Sequence, residues 1–153
     1  MPATASAPQP PGLLRRLAAV VYDALLLVAL LMVATALLLP LTGGEAIDPH
    51  RHPALEWLYR AVLLLLTVGF FGVSWTRGGQ TLGMASWRLR VLREDGGTLT
   101  WADTVRRLAA AVLSWLALGL GWLWLLVDPA RRTWHDRLSR TQVVLVDKRT
   151  SRG

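Results

Sequence analysis

The chain contains no cysteine, and of its seventeen basic residues only Lys148 is a lysine. The first absence excludes a disulfide framework, a thiolate metal site and thiol catalysis. Acids are scarce too, ten against seventeen bases, which leaves a formal net charge of +7. Such a balance suits either nucleic acid or anionic lipid. The arginines crowd the ends of apolar runs, with no RNA-binding or helix-turn-helix pattern beside them, so lipid headgroups are the expected partner and nucleic acid is not. Phosphate-cradling loops are missing as well: "RGGQTLGM", residues 77–84, matches neither a Walker loop nor a dinucleotide fingerprint and reads as a turn at a membrane surface. No nucleophile stands in an elbow context, so the chain is expected to be no enzyme and to need no cofactor.

What the chain has in abundance is apolar sequence, 53% of its 153 residues against roughly 45–50% in soluble domains. Three runs stand out, Leu17–Leu39, Trp57–Trp75 and Leu108–Val127. About 20 residues of helix cross about 30 Å of hydrocarbon, so the first two are membrane spans. Pro40 and Gly43–Gly44 stop the first; Trp57, Tyr59 and Trp75 mark the headgroup levels of the second. The third carries Gly119 and Gly121, where a helix readily breaks. The expected fold is therefore an all-α membrane protein: two transmembrane helices, a third apolar segment that is re-entrant or kinked, and a small cytoplasmic β element. Residues 1–12, rich in Pro, Ala and Ser, read as a disordered tail rather than a signal peptide, 13–147 as the membrane domain and 148–153 as a second tail.

Charge sets the orientation. The segment before the first span holds Arg15 and Arg16 and no acid, whereas the loop from Pro40 to Arg60 sets two Arg against Glu45, Asp48 and Glu56. The positive-inside rule puts the N-terminus in the cytoplasm. Residues 76–107 carry six Arg and three acids, and residues 128–153 seven basic residues and three acids, so both flanks of the third segment belong on that same side. "WRLRVLRE" alternates apolar and basic residues ahead of a "DGG" turn, and "TQVVLVDK" is a second β-prone run. If the two pair, the third segment must enter and return; the alternative is one kinked span. "TWAD", Thr100 to Asp103, reads as a capping-box start for the helix that leads into it.

Asp23 is the anomaly, an acid followed by sixteen residues, Ala24 to Leu39, in which only Thr35 is polar. A carboxylate at the bilayer centre costs about 2.5–3.5 kcal/mol and must face protein or water. Either it binds a cation or a proton, or it pairs with Arg or Trp side chains of other segments and fixes the packing. Arg16 lies seven residues earlier, on the same helical stripe and about 10 Å away along the axis. Two other clusters are weaker. "DPARRTWHDRLSRT", with Asp128, His135 and Asp136, reads as a local cap and surface ion-pair network, and His50 and His52, set between prolines, make a poor ligand pair, so no metal site is expected.

Taken together, "RRLAAVVYD", "GGQTLGMASWRLRVLREDGG" and "RRTWHDRLSRTQVV" resemble the RDD family of small bacterial membrane proteins, named for one Arg and two Asp, over about residues 13–147. The resemblance assigns the Arg to Arg16 and the acids to Asp23 and Asp136. It implies a bacterial inner-membrane protein, and, since some members are described as cation/proton antiporters, it makes Asp23 and Asp136 candidate binding groups for monovalent cations or protons, with Arg16 as charge partner. It also implies an Arg16–Asp136 contact. Two or three spans cannot enclose a path alone, so exchange would require a homo-oligomer. The alternative function is a non-catalytic scaffold or accessory subunit that binds lipid headgroups or a partner membrane protein. The topology has a direct check in this cysteine-free chain. Gly97→Cys and Ser151→Cys should resist a membrane-impermeant maleimide in intact cells and react after permeabilisation; labelling of Ser151→Cys from outside would show that the third segment crosses.

Overall fold

The computed structural model describes residues 10–42 and 52–146. His50, the acids Glu45 and Asp48 and most of both tails lie outside the described residues. Helix α1 runs Leu13–Leu38 and passes into a 3-10 turn, Leu39–Thr42, at Pro40. Proline has no N–H to continue the ladder, which is why the helix tightens and stops there. Helix α2, Pro53–Arg77, starts with proline in its first turn and ends on Gly78. Both are long and apolar enough to cross a membrane, and they extend a few residues beyond the apolar runs because backbone hydrogen bonding does not stop where polarity begins. They are antiparallel: Thr35, late in α1, meets the Tyr59 hydroxyl, early in α2, at 2.9 Å. Nearly all of their surface is open, with Leu25, Met32, Leu37 and Leu65 more than 60% exposed, as spans bathed in lipid require.

The other end of this pair is covered. A turn at Gly78–Gln80 leads into the short helix α3, Leu82–Ser86, then strand β1, Leu89–Arg93. Gly79 sits at φ +65, and a Cβ there would lie 2.8 Å from the Val91 carbonyl. Only glycine lets the turn run this close to β1, where the Gly79 carbonyl accepts from Val91 N–H at 2.7 Å and closes the strand's free edge. The partner strand β2, Thr141–Leu145, pairs antiparallel, with Leu89 opposite Leu145 and Arg93 opposite Thr141. Leu89 and Val91 point into a core shared with Ala19 of α1, Trp75 of α2 and Val143 of β2. Arg90, between them, is exposed. The two β-prone runs therefore do pair.

Helix α4, Trp101–Leu116, opens on the Thr100–Asp103 capping box. Its Trp101 lies over Gly72 of α2, where a Cβ would overlap the indole. The apolar run then breaks at Leu118 (φ 54) and Gly119 (φ 79), and helix α5, Leu120–Val127, leaves at 96° to α4. Gly121 allows α5 to pack on α4, since a Cβ would meet Ser114 Oγ at 1.6 Å. At 16 residues α4 is about 24 Å long, short of the hydrocarbon thickness. Helix α6, Trp134–Leu138, brings the chain back against α4 before β2. The third segment thus begins and ends at one end of the bundle, as strand pairing demands.

Candidate functional site

Helix α1 buries only Arg16, Ala19 and Asp23, one stripe with the 3.6-residue period, and two buried polar clusters at the covered end are built on it. Arg16 Nη1 reaches Asp136 Oδ2 at 2.5 Å, and its Nη2 donates to the Arg131 carbonyl at 3.1 Å. Arg107 Nη1, from α4, approaches the other carboxylate oxygen, Oδ1, at 2.6 Å without an aligned hydrogen bond, its donor being directed to Thr141 Oγ1 at 2.5 Å. The Arg107 guanidinium also lies 5.3 Å from the Trp75 ring, a cation–π contact. Asp136 is completely buried, and Arg16 and Arg107 are about 95% so.

The sequence "TWHD", Thr133 to Asp136, repeats the residue pattern of "TWAD", and it too forms a capping box. Thr133 N–H donates to Asp136 Oδ2 at 3.3 Å, and Asp136 N–H to Thr133 Oγ1 at 3.4 Å. One carboxylate therefore caps its own helix and receives two cations. The expected local cap is present and so are ion pairs of the neighbouring arginines, but Asp136 is not part of them: it is fully buried, and its partners are Arg16 and Arg107. Arg137 and Arg132 turn instead to Asp128 and Glu94 at the periphery.

Burial by itself would raise the Asp136 carboxyl, but the Arg107 and Arg16 guanidinia outweigh it and hold the group well below the usual carboxylate range. His135 stacks on Trp122 with ring centroids 4.6 Å apart and lies 4.0 Å from Asp136. Burial, then the Arg107 charge, lowers it to about 3, so it is neutral. Two guanidinia against one carboxylate leave one positive charge in excess in the cluster.

Asp23 does not join this cluster. Its Oδ2 accepts from the Thr81 hydroxyl at 2.5 Å and its Oδ1 from Gly83 N–H at 2.9 Å. The expectation of an Arg or Trp partner is thus corrected: a hydroxyl and a backbone amide satisfy this carboxylate, because the α3 turn, not another long side chain, packs on that part of α1. Thr81 also caps α3, accepting from Met84 N–H at 3.2 Å. Gly83 has no room for a side chain; a Cβ would sit 2.4 Å from the Ala19 carbonyl and 2.8 Å from the Asp23 carboxylate.

These are the positions of a known pattern. The model of the RDD family matches residues 10–140. The chain belongs to the RDD family. No curated protein and no solved structure matches it. Of the three RDD residues, the fold brings Arg16 and Asp136 together and sets Asp23 two helical turns away at a separate joint. Arg107, Thr81 and Gly83 escaped the sequence reading. The signal for Arg107 lay in the stripe Asp103, Thr104, Arg107, Ala110 and Ser114, one face of α4 made of small and polar residues. His52 is exposed at the far end of α2, and no cluster able to hold a metal occurs among the described residues.

Asp136→Leu should cost about 3–5 kcal/mol, because it strands two buried guanidinia, while Arg16→Met and Arg107→Met should each cost less, because one cation remains. A double-mutant cycle between Arg16 and Asp136, read by unfolding in detergent, checks this; zero coupling would refute the contact. His135 adds a pH dependence. The unfolded imidazole gains its proton near 6.5 and the folded one only near 3, so stability falls as pH drops below about 6.5, by about 1.4 kcal/mol per pH unit. Asp136, depressed in the fold, adds its loss only below about 4. His135→Phe, which keeps the ring against Trp122, should flatten the dependence of melting temperature on pH between 6.5 and 4.5; an unchanged slope would show that His135 titrates normally.

Proposed function

We propose that this RDD chain is a non-catalytic membrane module, a scaffold or accessory subunit whose basic end meets anionic headgroups and whose lipid-facing spans meet a partner membrane protein or further copies of the chain. The observation that supports this reading is the engagement of both signature acids. Asp136 is held between two guanidinia and Asp23 between a hydroxyl and an amide, so each acts as a joint between elements. A carrier carboxylate must exchange its ligands, and here the ligands are the fold. Exposed Arg15, Arg77, Arg88, Arg90 and Arg140 all belong to the covered end. In the bacterial cytoplasmic membrane, with the N-terminus and sheet in the cytoplasm, these would face the anionic leaflet.

Monovalent cation/proton exchange by a homo-oligomer is a second reading, favoured by one observation: Asp23 lines a cavity of about 350 Å³. In that reading a proton and Na⁺ or a similar cation would occupy the carboxylate in turn. Proteoliposomes carrying a pH-sensitive dye separate the two. We expect a Na⁺ or K⁺ pulse to move no protons beyond the protein-free control, in wild type and Asp23→Asn alike. Asp23→Asn should melt within a few degrees of wild type, since the amide still accepts a hydrogen bond, whereas Asp23→Leu strands two buried donors at about 1–3 kcal/mol each. A cation-driven flux that Asp23→Asn abolishes would establish exchange instead.

A further inference from the structure

The apolar mass of the chain is unequal between the two halves of its spans. From Leu108 to Val127 the third segment has no charged residue, and its polar Ser114 is fully buried. Leu113, Leu116, Leu118, Leu120 and Leu126 are each more than half exposed, so the V formed by α4 and α5 presents hydrocarbon outward on both arms. Its charged residues, Asp103, Arg106, Arg107 and Asp128, all lie at the base. Between Leu108 and Leu116 the helix rises about 13 Å, close to one leaflet of a core about 30 Å thick. The level of the tip agrees, since Val112 and Trp115 of α4 line the cavity together with Leu27 and Leu64, which stand near the middle of α1 and α2. Beyond that level, among the described residues, only α1, its 3-10 turn and α2 continue, joined by Thr35 and Tyr59.

Four apolar helices therefore share one half of the membrane, and two share the other. Each arm of the V is a helix about 10–12 Å across, which adds about 80–110 Å² to one leaflet alone. A leaflet crowded through its own depth, with nothing added opposite, relieves the mismatch by bending until it is the convex one. We infer that the chain is a one-leaflet wedge, and that the partner its α4–α5 surface fits is a curved bilayer whose sheet-side leaflet is convex. Exposed Trp87 and Trp101, both at the sheet side, hold the wide end at the headgroups. The inference goes beyond the scaffold reading: it holds for either orientation across the membrane and draws on no headgroup charge.

Membrane tubes drawn from giant vesicles of uncharged phosphatidylcholine, carrying the full chain, test it, because charge attraction is then absent and the outer leaflet of a tube is strongly convex. Gly97→Cys, at the sheet end, and His52→Cys, at the far end, each reveal one of the two orientations when an impermeant maleimide dye is added from outside. Gly97→Cys chains should be enriched in the tube about twofold over a lipid tracer, more as the tube narrows, and His52→Cys chains should be depleted. Depth is read separately. A bimane dye on Leu118→Cys should be quenched more by phospholipids brominated near the chain ends than by those brominated near the headgroup. Leu116→Cys, also exposed at the tip, serves where Leu118→Cys fails to fold. Equal distribution of both orientations between tube and vesicle, enrichment of both alike, or stronger quenching from the headgroup side would overturn the wedge.

Discussion

The carboxylate of Asp136, placed between Arg16 of α1 and Arg107 of α4, is the contact from which the covered end is built. Helix α6 has five residues, far too few to hold together alone, and its position depends on that carboxylate and its own cap. Moving three charges out of water costs several kcal/mol per ion, and the cluster offsets this by setting both guanidinia on one carboxylate and giving each a neutral acceptor as well, the Arg131 carbonyl for Arg16 and the Thr141 hydroxyl for Arg107. It is best understood as a device for register. A single carboxylate with two obligatory partners on different helices admits one placement of α6, and β2, which begins three residues later and receives Arg107 at Thr141, is thereby delivered beside β1.

Two turns along α1 the same logic is repeated with neutral donors. Asp23 holds Thr81 and Gly83 as Asp136 holds the guanidinia, and it fixes α3 and so the start of β1. Both strands of the sheet are thus positioned from one stripe of one membrane helix. This explains how a span with only about a tenth of its residues buried can still have a defined place in the fold: its contacts are few, but they are directional. The close approach at Gly83 works the same way, since any larger residue would push the α3 turn off the carboxylate it must reach.

The spans, the break near Gly119 and the pairing of the two basic, β-prone runs were legible in the sequence because each is encoded locally, by apolar length, by glycine and by side-chain alternation. The Arg16–Asp136 contact became legible only through the family pattern. Thr81 and Arg107 were not legible. A hydroxyl and an amide leave no charge signal to pair with Asp23, and nothing local ties an arginine at 107 to an acid 29 residues on; that contact exists only once α5 has folded back. "TWHD" carried the same capping signal as "TWAD", yet its setting among four arginines made a surface network the natural reading. What distinguished it was burial, which neighbouring charges do not reveal.

The folding back itself has to be reconciled with an apolar surrounding, where an unpaired backbone N–H costs several kcal/mol. The tip is fully apolar outside: Leu116 and Leu118 are 77% and 93% exposed. The amides of residues 117–120 are nevertheless accounted for. Ala117 N–H donates to Leu113, Leu118 to Trp115, Gly119 to Ser114 and Leu120 to Ala117, each at 2.9–3.1 Å. The left-handed pair Leu118–Gly119 is what turns these carbonyls and amides toward one another. A bend of 96° is thereby made without presenting a bare donor to lipid, so α4 and α5 can return the chain to Arg107 and Arg16 from within an apolar medium. The ion cluster closes a loop that the tip's own hydrogen bonds have already made affordable, and neither feature would place α6 without the other.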